Sequence, residues 1–276
     1  FLGFRSHTKN SYGEFRLGSK GVLLDIIEKN KPEYSTSDSL SNSGILLAQS
    51  NIIADLIQKI KNVNDKQEYY LTDIVKIAAQ KGYTSTYVRC EEDECIGVNS
   101  QMELSAAESK FQDNFRKKLL TSGVSMPSPE TCFFSYDTII KRGCVIEPYV
   151  VFGKGVKIQK STIIRSFSYI EGTHIGQRCQ IGPFARLRPD THLSDEVKVG
   201  NFVEVKNATL NSETKANHLS YIGDAKIGTN TNIGAGTIFC NYDGKNKHST
   251  VVGDNVFVGS NTSLIAPLKI GDASIV

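Results

Sequence analysis

The stretch THIGQRCQIGPFARLRPDTHLSDEVKVGNFVEV, residues 173–205, decides how this chain is read. Ile175, Ile181, Leu187, Leu193, Val199 and Val205 follow one another at steps of six. A helix repeats its apolar residues every three or four positions and an alternating strand every two, so neither accounts for the spacing. A six-residue period predicts a parallel β-helix: each unit is a short strand and a turn, and three units close a triangular coil. The aliphatic residue points inward and stacks on its counterparts above and below. Glycine often follows it, as at Gly176, Gly182, Gly200 and Gly234, and is expected to relax the tight corners.

The period extends in both directions. It starts less regularly near Val145, and Ile158, Ile164 and Ile170 keep it in a slightly shifted register. A second ladder runs through Val252, Val258, Leu264, Ile270 and Val276. Residues 124–276 are therefore read as the β-helix domain. Residues 1–100 read as an α/β layer, because strand-like and helix-like runs alternate. GVLLDIIEK (21–29) and SGILLAQ (43–49) are strand-like; SNIIADLIQKIKNV (50–63), with Ser50 as N-cap, and YYLTDIVKIAAQKG (69–82), closed by Gly82, are helix-like. Residues 101–123 form a connecting arm, a helix with Leu104, Ala107, Phe111, Phe115 and Leu119 on one face, stopped by Gly123.

The 276 residues carry a net charge of +3, which makes no general case for nucleic acid or a membrane surface as partner. No apolar run is long enough to span a bilayer. The six cysteines contain no C-x-x-C pair and read as reduced thiols of a cytoplasmic protein. The chain starts at Phe1 and stops at Val276 inside a repeat unit, so it reads as a piece of a longer protein.

Chemistry concentrates where the repeat is interrupted. The ladder is expected to falter around His218 and again over NYDGKNKHST (241–250), a polar run that must leave the coil as a loop. The residue types suit acyl transfer to an amine. His218 titrates near neutrality and can take a proton from an ammonium. Arg188 and Lys206 can hold a phosphate. Tyr221 and Asn232 can orient hydroxyls, and backbone N–H groups of NIGAGT (232–237) can face a thioester oxygen. His218 and Arg188 also have a plainer reading: a lone histidine at the surface or a corner of a repeat protein, and an arginine before Pro189 at a solvated turn. His174 and His192, eighteen residues apart, should stack at one outward corner, with no third histidine at a matching spacing to complete a metal site.

IGPFARLRP, VGNFVEVKNA, KANHLSYIGDA, NIGAGTIFCNYDG and VFVGSNTSLIAP resemble the acetyltransferase domain of the bacterial bifunctional N-acetylglucosamine-1-phosphate uridyltransferase/glucosamine-1-phosphate acetyltransferase family. YGEF, NSGILLA, EYYLTDIVKIAA and GVNSQMEL resemble its uridyltransferase half. The resemblance implies a left-handed parallel β-helix joined by the helical arm to a partial Rossmann-like nucleotidyltransferase domain. It implies His218 as general base, Arg188, Lys206 and Tyr221 on the sugar phosphate, Asn232 on the amino sugar, and Ala235, Asn241, Tyr242 and Ser260 on acetyl-CoA. In the first half it implies Gly13, Glu28 and Asn42 on UDP-N-acetylglucosamine and Asn99 on Mg2+. It also implies a cytoplasmic homotrimer with UTP as a further substrate, serving cell-wall and lipopolysaccharide synthesis. Glu14 departs from the family's arginine, and the family's Gly-rich nucleotide loop and the aspartate partner of Asn99 are missing, so nucleotidyl transfer is not expected of this chain alone. Two other classes stay open: a nucleotidyltransferase whose β-helix serves only as a trimerisation scaffold, and a metal-dependent hexapeptide enzyme.

Overall fold

The computed structural model describes residues 1–6, 12–28, 39–63 and 67–276, which form two compact units, 1–108 and 109–276. Lys29, the last residue of the expected strand run 21–29, lies outside the described residues.

The first unit holds a five-stranded sheet of β1 (Leu2–Ser6), β2 (Glu14–Leu17), β3 (Leu23–Ile27), β4 (Ser39–Asn42) and β5 (Val88–Cys90) in the order β3-β2-β4-β1-β5. The pairs among β1 to β4 are antiparallel, and β1 pairs with β5 in parallel. Helix α1 (Ser50–Ile57) and helix α2 (Ile74–Gln80) belong to the same unit. Val75 packs with Phe15, Leu23 and Ile26, and Leu56 packs with Ile74 and Ala78. Two sequence expectations fail here. The run 43–49 is irregular, and the strand is the preceding Ser39–Asn42, whose edges pair with β1 and β2. The helix expected over 50–63 ends at Ile57; Ser50 is its first residue and no side chain caps it. Beyond Ile57 the backbone tightens into turns, with the Ile60 N–H reaching back to the Ile57 carbonyl at 3.2 Å.

Helix α3 (Gln101–Thr121) starts in the first unit and ends in the second. Ser100 and Glu103 cap its start: the Ser100 hydroxyl accepts the Glu103 N–H at 3.2 Å, and the Glu103 carboxylate accepts the Asn99 N–H at 2.7 Å. The C-terminal part of the expected apolar face packs as read: Leu119 is buried, Phe115 packs against the core and stacks on Phe134, and Phe111 packs against Phe115, whereas Leu104 is exposed. Gln112 and Arg116 are buried beside them, which the apolar spacing did not indicate. Gln112 bridges to Phe134, donating to its carbonyl at 2.7 Å and accepting its N–H at 2.9 Å, while Arg116 donates to the Cys132 carbonyl at 3.1 Å. The start of the solenoid leaves backbone groups without a coil beneath them, and buried backbone polar groups require partners.

The second unit is a parallel β-solenoid with three faces. The first face is a seven-stranded sheet, and the second and third form one thirteen-stranded sheet because Glu204–Leu210 and Tyr221–Ile227 run through the corner between them. Every ladder residue predicted from Ile158 to Val205 is buried, and Val252, Val258, Leu264 and Ile270 continue the core; Val276, at the last rung, is about half exposed (46%). Coiling extends upstream of Val145, where the six-residue period first becomes readable, with Ser125 bridging Val145 and Phe133 bridging Val151.

The shifted register has a local cause. The interval between inward residues shortens from six to five between Ile170 and Ile175, Val205 and Leu210, and Ile222 and Ile227. All three lie at the corner between the second and third faces. The ladder also does not falter at His218: Ala216 and Ile222 fill the interior on either side, and His218 points outward.

Corner chemistry differs from expectation too. The corner between the first and second faces places Tyr149, Phe167, Phe184 and Phe202, not glycine, at φ of 62°, 63°, 55° and 55°. Their rings stack in sequence at 5.1, 4.9 and 5.2 Å, which offsets the cost of the left-handed backbone. Of the glycines after the aliphatics, Gly182 does take a left-handed φ, 90°, whereas Gly176, Gly200 and Gly234 serve close approach. A Cβ at Gly200 would lie 2.0 Å from the Asn217 carbonyl oxygen of the next coil. His174 and His192 do stack, at 5.0 Å, but on the flat third face rather than at a corner. Among the described residues no helix is long and apolar enough to cross a membrane.

The core makes a quantitative prediction. Ile181 and Leu187 are fully buried, so Ile181→Ala or Leu187→Ala should cost about 2–5 kcal/mol in chemical denaturation, whereas the exposed His174→Ala should stay within about 0.5 kcal/mol.

Candidate active site

Parallel coils place residues of equal register in columns. Asn201 pairs with His218 across adjacent strands of the first face. The column continues upward. The Gly236 N–H donates to the His218 carbonyl at 3.3 Å and the Asn261 N–H to the Ala235 carbonyl at 2.7 Å. Asn201, His218, Ala235 and Ser260 therefore occupy successive coils at one corner. Three of these four were singled out from sequence; Asn201 was not. The His218 Nδ1 lies 2.9 Å from the Asn201 Oδ1. Asn232 sits on the same face between Lys215 and Phe257.

The expected set of N–H groups in NIGAGT narrows sharply. Those of Asn232, Gly234, Gly236 and Thr237 donate to the carbonyls of Val256, Val258, His218 and Gly234. Stacking on neighbouring coils consumes the first three and a local turn the fourth; with Ile233 inside the strand ladder, the Ala235 N–H is left as the candidate donor to a reacting oxygen.

The second face carries the charged cluster. Arg188 donates to Glu204 at 2.7 Å, and this hydrogen bond holds the guanidinium above its ordinary pKa. Lys206 is held below its ordinary pKa, first by the adjacent Lys247 side chain and its charge, then by Arg188, with Asp224 opposing. Three cations thus crowd together against two carboxylates. An anion bound there would relieve the Lys206–Lys247 repulsion, so the arrangement suits a phosphate. Tyr221 stands beside Glu204 in the adjacent strand. Lys247, Glu204 and Asp224 were missed in the sequence because their partners are distant along the chain.

Residues 241–249 leave the solenoid at the corner between the second and third faces, the same corner that absorbs the shortened intervals; the loop is one residue shorter than expected, because Thr250 is buried as the first residue of the strand Thr250–Val252. Asn241 is buried, where its amide donates to Asp224 and approaches the Tyr221 hydroxyl at 3.4 Å. Asp224 also accepts from Asn207 at 2.6 Å. Tyr242 and Lys247 form a small antiparallel bridge, and the Tyr242 hydroxyl donates to the Gly244 carbonyl at 2.7 Å. Asp243 accepts the Lys245 and Asn246 N–H groups at 2.8 and 2.7 Å and faces the His248 ring at 2.6 Å.

In the first unit, Gly13, Glu28 and Asn42 meet where β2, β3 and β4 end. The Asn42 N–H donates to the Gly13 carbonyl at 2.7 Å, and a Cβ at Gly13 would lie 3.4 Å from both Glu28 carboxylate oxygens. Glu28 accepts from the Thr72 hydroxyl at 2.7 Å. Asn99 directly precedes the capped start of α3. Among the described residues no group of three or more His, Cys, Asp or Glu side chains is placed to hold a metal ion. Magnesium demands near-octahedral oxygen ligation. Asn99 offers one neutral oxygen, so these residues do not by themselves make a magnesium site.

The fold and this corner define a hexapeptide-repeat solenoid with a histidine-centred surface site. No family profile matches the chain. Over nearly its whole length, however, it is similar to curated sequences called bifunctional protein GlmU. It is 48% identical over 275 residues to that of Bartonella quintana (99% of this chain, 61% of the relative). It is 48% identical over 270 residues to that of Roseobacter denitrificans (97% and 60%) and 46% over 275 residues to that of Wolbachia pipientis wMel (100% and 64%). The chain spans about three fifths of the length of these relatives. Solved structures similar in part include a UDP-N-acetylglucosamine acyltransferase, 14% identical with a TM-score of 0.32 (54% of this chain, 68% of that one). Another is the acetyltransferase domain of PglB from Neisseria gonorrhoeae in complex with acetyl coenzyme A, 14% identical with a TM-score of 0.21 (69% and 67%).

The loop yields a pH prediction. The Asn246 N–H, His248 and the Lys245 N–H hold the Asp243 carboxyl well below the usual carboxylate range. The folded-state pKa is depressed, so its contribution is present above the unfolded value of about 3.9 and is lost as pH falls through the folded value. Amide shifts of Lys245 and Asn246, followed by NMR in an acid titration, should move with a midpoint clearly below about 3.9. A midpoint at the ordinary aspartate value would show that these contacts do not persist in solution.

Proposed function

We propose that the chain belongs to the GlmU proteins and that its solenoid transfers the acetyl group of acetyl-CoA to the amine of glucosamine-1-phosphate. The observation that carries this reading is the column at one corner: His218, the committed N–H pattern that leaves Ala235 as donor, and Ser260 in consecutive coils. Arg188 and Lys206 on the second face, with Lys247 from the projecting loop, hold the phosphate. Tyr221 and Asn232 orient the sugar. His218 takes a proton from the sugar's ammonium, which frees the nitrogen lone pair to attack the thioester carbon; collapse of the tetrahedral adduct breaks the C–S bond, the departing CoA sulfur takes the imidazolium proton, and the second nitrogen proton passes to solvent. The Ala235 N–H steadies the carbonyl oxygen as it gains charge. Acetyl-CoA, when bound, supplies the activated acyl group against Ala235 and Ser260, with Tyr242 reaching it from the projecting loop and Asn241 fixing the base of that loop.

On the same reading the solenoid is left-handed and occupies residues 124–276. Residues 101–123 are the arm, and residues 1–100 are the C-terminal part of a Rossmann-like uridyltransferase domain. There Gly13, Glu28 and Asn42 contact UDP-N-acetylglucosamine, the product that the whole protein makes with UTP in the bacterial cytoplasm for cell-wall and lipopolysaccharide synthesis. Asn99 contributes one ligand to Mg2+ among others that the described residues do not provide.

Two substitutions test the acetyl site. His218→Ala should lower acetyl transfer by about 10²–10⁴-fold. Arg188→Ala should raise the KM for glucosamine-1-phosphate far more than that for acetyl-CoA, because the lost group is a planar anion fork. Near-normal acetylation by the first variant, or a defect of the second confined to acetyl-CoA, would reject these assignments.

The assembly is proposed to be a homotrimer around a threefold axis, with flat solenoid faces side by side and sites between subunits. Sedimentation equilibrium should give three times the chain mass; a fully active monomer would reject shared sites.

A further inference from the structure

We propose that Asn201 is a positioning residue for His218, fixing the imidazole as its Nδ1–H tautomer so that Nε2 presents the lone pair. The proposal rests on the reading of His218 as general base, but its test separates the two.

Asn201 closes the strand Lys198–Asn201, and His218 closes Lys215–His218 directly above it. Three register pairs fix the alignment: Lys198 with Lys215, Val199 with Ala216, and Asn201 with His218. The inward members Val199 and Ala216 are buried, so the strands cannot slip without moving the core. The backbone adds a second restraint, since the Leu219 N–H donates to the Asn201 carbonyl at 3.0 Å. The side-chain contact of 2.9 Å between Nδ1 and Oδ1 is thus imposed by the coil repeat.

An amide oxygen only accepts hydrogen bonds. Facing Nδ1, it requires that nitrogen to carry the proton, which leaves Nε2 as the acceptor. The opposite amide orientation would point N–H at Nδ1 and force the proton onto Nε2, the nitrogen that must receive one. Nε2 of His218 has no partner among the described residues. The other described histidines are held differently: His248 engages Asp243 through Nε2, and His174 stacks on His192. Only His218 combines an anchored Nδ1 with an outward Nε2 among them. The amide is also neutral. It orients the ring without the electrostatic pull that a carboxylate would exert toward the protonated imidazolium, a form with no lone pair to offer.

The test begins with ¹⁵N NMR of the His218 ring in the ligand-free protein, above the pH at which the imidazole is protonated. The expected result is the Nδ1–H tautomer in the wild type and in Asn201→Asp, which keeps an accepting oxygen. Asn201→Leu should revert toward the Nε2–H tautomer that free imidazole prefers. In acetyl transfer, Asn201→Leu should lower kcat by about 10- to 100-fold, the usual effect of losing an orienting partner, with the KM of both substrates little changed. Asn201→Asp should recover most of kcat at mildly alkaline pH. An Nε2–H tautomer in the wild type, or an unchanged tautomer in Asn201→Leu, would overturn the proposal. If Asn201→Leu fails to fold, the wild-type and Asn201→Asp spectra still decide the tautomer. Absence of acetyl transfer in the wild type would reject the proposed function while leaving the tautomer result intact.

Discussion

The second unit depends on one constraint: parallel backbone hydrogen bonds between coils, held in register by an interior of stacked aliphatics. Adjacent strands in such a ladder lie about 4.8 Å apart. A residue is therefore brought next to the one a full coil away, whatever its chemistry. The histidine pair, the aromatic column and the Asn201–His218 contact are all products of this repeat. A catalytic group placed on such a surface is held by the core beneath it rather than by a loop, which suits chemistry that requires a fixed geometry.

The corners divide the labour. The corner carrying Tyr149, Phe167, Phe184 and Phe202 keeps its geometry coil after coil, and His218, Ala235 and Ser260 follow along the same edge. The opposite requirement is met between the second and third faces, where the chain shortens by one residue or departs as the loop 241–249. Variation is tolerated there because the inward residues on either side, such as Phe239 and Val252, still meet the coil below. The loop is nonetheless anchored, through Asn241 onto Asp224. Next to it, Arg188, Lys206 and Lys247 form a cluster whose internal repulsion is only partly offset by Glu204 and Asp224.

The six-residue spacing made the solenoid legible, because only an inward position in a three-sided coil demands an aliphatic at that interval. The first unit was harder. Short apolar runs such as 43–49 carry no periodicity that separates strand from coil, and pairing placed the strand at Ser39–Asn42 instead. The face of α3 was legible at Phe115 and Leu119 but not in full. Gln112 and Arg116 are buried by satisfying backbone groups of Phe134 and Cys132, a demand set by the end of the solenoid and invisible in the helix's own pattern.

By itself the sequence determined the repeat, the inward ladder, the departing loop and most of the residues gathered around it, since each follows from local spacing and residue type. Tertiary structure alone decided which of them meet. It selected Asn201 as the neighbour of His218, gathered Lys247 with Lys206 and Arg188, and reduced the candidate backbone donors to Ala235. The physical reason is that contacts between coils are fixed by accumulated register. Each one-residue shortening or long insertion at a corner resets which distant residues are superposed, and no local pattern in the sequence records that sum.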